Sequence, residues 1–182
     1  MNDVTHKPMC ILLFSIIIII YCFYITGAIK TLPCEKNFTS IISSNFVHID
    51  YLHLLSNLYG IYAISRVEIK LGTIKFIILL LLMISLNTMF EIILCNIFPN
   101  QIKCSIGFSG ILYGVLMFEI IVQNNLDYRL LSSLITSAIL PSAVNRKISL
   151  SGHIIGLLTG SLLGISYNTL FYNDDSFICN AS

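Results

Sequence analysis

The chain has 182 residues and a formal net charge of +1; 56% of it is hydrophobic, 10% is charged, and its mean hydropathy is +0.88. A soluble domain carries a much larger charged share on its surface, so this composition describes an integral membrane protein embedded in a lipid bilayer. No basic run or face exists to bind nucleic acid. The six cysteines form no C-x-x-C pair and no Cys/His cluster at zinc-like spacing, so no metal or other cofactor is expected.

Residues 9–29 are an unbroken apolar run, with isoleucine at every position from 16 to 20, matching the roughly 20 residues that cross a hydrocarbon core. A secretory signal with Thr26-Gly27-Ala28 as its cleavage site is the competing reading, but such signals have apolar cores of only about 7–15 residues. The segment is therefore predicted to be a retained helix. A polar loop at 30–47 follows, with a glycosylation-type triplet, Asn37-Phe38-Thr39. The second span, His48 to about Ser65, carries His48, Asp50, His53, Ser56 and Asn57 in its first turns and gives way to Arg66, Glu68, Lys70 and Gly72. A third span, about 73–95, is apolar apart from Asn87 and Glu91.

The loop 96–106 leads to a fourth span at 108–122, and a charged turn from Asn124 to Arg129 separates this from a fifth at about 130–144. Pro141 is expected to kink or stop that helix. Arg146 and Lys147 mark the next turn, and the sixth span runs over 150–171 before Asp174-Asp175. Residues 1–182 thus read as a single all-α membrane domain with six transmembrane helices. Lys7, Arg66, Lys70, Lys75 and Arg129 fall on one face and Lys30, Lys36, Lys103, Arg146 and Lys147 on the other, so the positive-inside rule ties. Cys34, Cys95 and Cys104 lie on or near one face, where an oxidising compartment could pair two of them.

Successive crossings alternate direction, so the second, fourth and sixth spans enter from the same side. Their first turns hold His48, His53 and Asn57; Ser109; and Gly152-His153. Polar groups inside a membrane are costly unless they face one another or water, so three such sets at one depth imply a shared cavity. Singly, each could be interhelical glue or small-residue packing. Together they supply a serine nucleophile, a histidine to take its proton, and the neutral donors His53 and Asn57 for an oxyanion. Tyr113 lies one turn below Ser109, placed to stack on His153. Gly110 and Gly114 form a G-x-x-x-G pair, and Gly152, Gly156, Gly160 and Gly164 repeat every four residues on the sixth span, which lets the two backbones approach closely.

The ordered set His48, His53, Asn57, then Glu68 and Gly72, then Gly107-Phe108-Ser109-Gly110 with Tyr113, then Gly152-His153, Gly156 and Gly160 resembles the rhomboid family of intramembrane serine proteases over about residues 48–170. The resemblance implies a six-helix rhomboid-like bundle, with residues 9–29 as its preceding or first helix. It implies Ser109 as nucleophile and His153 as base, with no third carboxylate. His53, Asn57 and the Ser109 N–H would bind the oxyanion, Tyr113 would support His153, and no metal or cofactor would take part. The expected partners are transmembrane segments of substrate proteins reached laterally, in a secretory-pathway or plasma membrane rather than a mitochondrial one. The chain departs from the family in having no Trp, and hence no Trp-Arg pair in its first loop, in Ile64 where glycine is usual, and in Gly152 where alanine is usual. An inactive rhomboid-like protein that binds membrane helices is the alternative. A small transporter is disfavoured by the lack of an inverted repeat.

Overall fold

The computed structural model describes residues 7–29, 37–99, 105–123, 127–144 and 149–171. The charges expected at Lys30, Lys36, Lys103, Arg146, Lys147 and Asp174-Asp175 lie outside them, as do Cys34 and Cys104, two of the three cysteines of which a pair could form. Seven helices and no strand occur among the described residues: α1 Pro8–Ile25, α2 Phe38–Ser44, α3 Tyr51–Leu71, α4 Thr73–Ile97, α5 Ser109–Val122, α6 Tyr128–Val144 and α7 Leu150–Phe171. Three of them, α1, α4 and α7, are long and apolar enough to cross a membrane, while α5 and α6 are shorter apolar helices. Large side chains such as Leu52, Tyr59, Ile74, Leu81, Leu158 and Leu170 point outward. Such a surface suits hydrocarbon, not water.

Two expectations need correction. The segment 30–47 is not all loop: Asn37 accepts the Ser40 N–H at 2.8 Å and caps the short helix α2, whose Ile41 and Ser44 are buried. The second long helix is also displaced. It starts at Tyr51, with the Asp50 carboxylate capping the His53 N–H at 2.8 Å, and continues past Ser65 to Leu71. The charges that looked like its end are instead satisfied along its length.

Glu68 and Glu119 show how. Glu68 is fully buried and accepts the N–H groups of Met9 and Cys10, both at 2.9 Å, together with the Thr73 hydroxyl at 3.0 Å. The first turn of α1 begins with Pro8 and has no side-chain cap of its own, so a carboxylate borrowed from α3 takes up its orphan donors at the positive end of the helix dipole. Glu119 on α5 sits only 2% exposed and accepts from Arg66 at 2.8 Å and Lys70 at 3.0 Å, whose stems reach outward from α3. Glu68→Ala is expected to lower unfolding stability by about 2 kcal/mol because two helix donors lose their acceptor. Glu68→Gln keeps one acceptor oxygen and should lose less; detergent-based thermal unfolding of the three proteins gives the comparison.

The core runs between α1, α3, α4 and α5 through Ile17, Ile61, Ile64, Val67, Phe76, Met83, Phe108, Ile111 and Val115. Gly72, at φ +79°, is the single residue joining α3 to α4; a left-handed joint of this kind is one that only glycine adopts readily. The most extensive helix contact is α5 with α7, where two glycine ridges interlock. A Cβ on Gly156 would fall within the Gly110 carbonyl and one on Gly160 within the Gly114 carbonyl, while a Cβ on Gly110 would lie 2.8 Å from the Gly152 oxygen. Backbone meets backbone along this seam. The helix α6 packs mainly on α5 and α7 and continues three residues past Pro141, so the proline does not stop it.

Candidate active site

Ser109 is the first residue of α5 and His153 lies in the first turn of α7. Helix geometry leaves the first N–H groups of α5 without an intrahelical acceptor, the first recorded bond being Leu112 N–H to Phe108 C=O at 3.1 Å. The Phe108 cap supplies no side-chain bond either. The half-buried hydroxyl is therefore flanked by its own unsatisfied amide and by the positive end of a helix dipole.

The glycine seam brings Ser109 Oγ to 2.9 Å from His153 Nε2. On the other side of the ring, His153 Nδ1 lies 2.7 Å from the Ala138 carbonyl of α6. A carbonyl can only accept, so Nδ1 carries the proton and the Nε2 lone pair is directed at the serine. That is the tautomer a general base requires. The Tyr113 ring packs on the imidazole with centroids 4.7 Å apart at 59°, as the one-turn spacing from Ser109 suggested, and its hydroxyl donates to the Ser137 carbonyl at 2.6 Å.

The segment leading into the serine is anchored from three sides. The Gly107 N–H donates to the Ser44 carbonyl of α2 at 2.9 Å, the Ser105 N–H donates to Glu91 at 3.0 Å, and the Ser105 and Ser149 hydroxyls lie 3.0 Å apart. Glu91, buried near the end of α4, thus holds the loop rather than entering the chemistry. Gly107 adopts φ +99°, and a Cβ there would lie 2.5 Å from the His53 imidazole. Glycine is needed on both counts, for the left-handed backbone and for the ring seated on it.

That contact places His53 against the residue two before Ser109. Asn57, one turn further along α3, donates from Nδ2 to the His53 carbonyl at 2.8 Å, which leaves the second N–H of the amide uncommitted by that bond. His48 departs from expectation: it precedes α3 instead of belonging to its first turn, and it is fully buried. Its ring lies 5.0 Å from that of His53, with the Asn57 side chain and the Phe46 backbone beside it. Burial, and then the neighbouring His53, push its pKa down to about 4, so His48 is neutral at physiological pH.

Ser109, His153 and Tyr113 thus meet where the first turns of α5 and α7 cross, with His53 seated against Gly107 and His48 and Asn57 beside His53; Gly114 and Gly160 lie further along the seam. Residues the sequence did not single out also contribute: Ser44, Ser105, Ser137, Ala138 and Ser149. Most act through backbone groups, which carry no residue-type signal. No group of His, Cys, Asp and Glu able to hold a metal occurs among the described residues.

Residues 35–169 match the family model described as Rhomboid domain. A protein of Acanthamoeba polyphaga mimivirus that bears the rhomboid name is 28% identical over 115 residues, covering 63% of this chain and 67% of that relative.

Proposed function

This chain belongs to the rhomboid family, and from that membership we propose that it is an intramembrane serine endopeptidase that cleaves transmembrane segments of other proteins. The observation that carries the proposal is the 2.9 Å contact between Ser109 Oγ and His153 Nε2, with the Nδ1 proton already held by a carbonyl. Six crossings, α1 and α3 through α7, form the bundle, and α2 rests at the face that carries the site.

In the reaction, His153 Nε2 takes the Ser109 proton as Oγ attacks the scissile carbonyl. The tetrahedral oxyanion is met by the Ser109 N–H, the second Asn57 N–H and His53. His153 then returns its proton to the leaving amine, leaving an acyl-serine that water hydrolyses with His153 again as base. The dyad lacks a carboxylate, so the imidazolium formed in the first step relies on the Ala138 carbonyl and the Tyr113 ring. Helix length sets the depth of the chemistry. α5 has 14 residues, about 21 Å at 1.5 Å per residue, against a hydrocarbon thickness of about 30 Å. Its first residue therefore sits several ångströms below the surface, where a substrate arriving laterally presents the end of its membrane helix.

A serine-directed fluorophosphonate is expected to label the purified protein at Ser109 and nowhere else. Absence of labelling, together with no product from several tagged transmembrane substrates, would leave the chain as a binder of membrane helices. Loss of one oxyanion donor typically costs about 10²–10³ in rate. Asn57→Ala should approach that range in kcat with little change in KM, and adding His53→Ala should lower it further. Full activity in the double variant removes both residues from the oxyanion role.

A further inference from the structure

Tyr113 and His153 are held by consecutive carbonyls of α6, those of Ser137 and Ala138, at 2.6 and 2.7 Å. In an α-helix the carbonyl of residue i receives the N–H of residue i+4. For Ser137 that residue is Pro141, which has no N–H to give, although α6 runs on to Val144. Ser137 is thus a helix carbonyl deprived of its intrahelical donor by composition alone, and the Tyr113 hydroxyl is the donor it receives instead. The position four beyond Ala138 is Ser142, which keeps its N–H. Pro141 therefore bears on the carbonyl that Tyr113 uses and not on the one that His153 uses.

We propose that Pro141 is a positioning residue of the Ser109–His153 pair: by withholding a backbone N–H, it reserves the Ser137 carbonyl for the Tyr113 hydroxyl and so fixes the ring that supports His153. An N–H at position 141 competes with the Tyr113 hydroxyl for the lone pairs of the Ser137 carbonyl and draws that carbonyl towards the helix axis. The Tyr113 ring, 4.7 Å from the imidazole, then loses its anchor on α6, and His153 loses one of the two contacts that set its plane. In a dyad with no carboxylate, orientation of the imidazole rests on these neutral contacts.

The effect on reactivity rests on the proposed protease activity; the effect on the hydrogen bond does not, and two readouts separate them. The variants are Pro141→Ala, which restores the N–H, and replacement of Pro141 by lactic acid, whose backbone ester has the same side chain as alanine and no N–H. The first readout is the 19F resonance of 3-fluorotyrosine placed at position 113, which reports the hydroxyl's hydrogen bond without requiring activity. The proline and ester proteins should share one shift, and Pro141→Ala should move it. The second readout is the rate of fluorophosphonate labelling at Ser109. It should fall several-fold in Pro141→Ala, remain near wild type in the ester, and show no additional loss when Pro141→Ala is added to Tyr113→Phe. The same 19F shift in all three proteins, or an ester that follows Pro141→Ala in either readout, overturns the proposal. If the wild-type protein does not label at all, the protease reading fails and the 19F comparison alone decides the role of Pro141.

Discussion

Cleavage of a tagged transmembrane substrate in proteoliposomes is expected to fall to background in Ser109→Ala and in His153→Ala, a loss on the order of 10⁴-fold or more. The two losses have different origins. Ser109→Ala removes the nucleophile but leaves the His153 contacts with Ala138 and Tyr113 intact, so its fold and thermal stability should match wild type. His153→Ala removes the base and also vacates a buried ring position, so a modest fall in stability should accompany its loss of activity. A double variant should be no worse than either single one, because the pair acts as a unit. Serine-independent product would point to another nucleophile and end the dyad assignment, since Ser109 Oγ is the hydroxyl that His153 Nε2 contacts.

The second large effect belongs to the glycine seam. Substituting even alanine at Gly156 places a methyl within the Gly110 carbonyl, and neither backbone can yield without separating α5 from α7. Overpacking of this kind costs about 1–3 kcal/mol or more where no side chain can move aside. Ser109 immediately precedes Gly110, and His153 lies three residues before Gly156, so separation at this turn stretches the 2.9 Å contact directly. A misplacement of about 1 Å can cost on the order of 10² in rate. Gly156→Ala should therefore lose both stability and most activity, and Gly156→Leu more of each. Gly60→Ala is the control: the added Cβ meets Leu112 Cδ1, the far end of a flexible side chain, and should be tolerated. Equal cleavage by Gly156→Leu and wild type would remove the seam from the account of how the site is assembled.

Much of this protein was legible in residue order. The apolar runs specify membrane helices because a bilayer permits little else, and reading those runs as alternating crossings grouped His53, Asn57, Ser109 and His153 without any knowledge of contacts. Spacing of four paired Ser109 with Tyr113 and aligned the glycine ridges, since residues four apart share a helix face. The local ends were less legible. Arg66, Glu68 and Lys70 looked like the end of a helix because isolated charges usually mark an interface. Here a carboxylate on another helix, or the orphan donors of α1, satisfies them within the bundle.

Folding alone decided which nitrogen of His153 faces the serine, because the Ala138 carbonyl that sets its tautomer is a backbone atom present in every residue type. It also decided that His48 is buried before α3, that Gly107 must accommodate the His53 ring, and that Glu91 steadies the loop instead of reacting. Each of these depends on where one helix lies against another. Residue types and their spacing can nominate a nucleophile, a base and the small residues between them. Distance, tautomer and buried partner are properties of pairs far apart in the chain, and only close packing of α3, α5, α6 and α7 brings those pairs together.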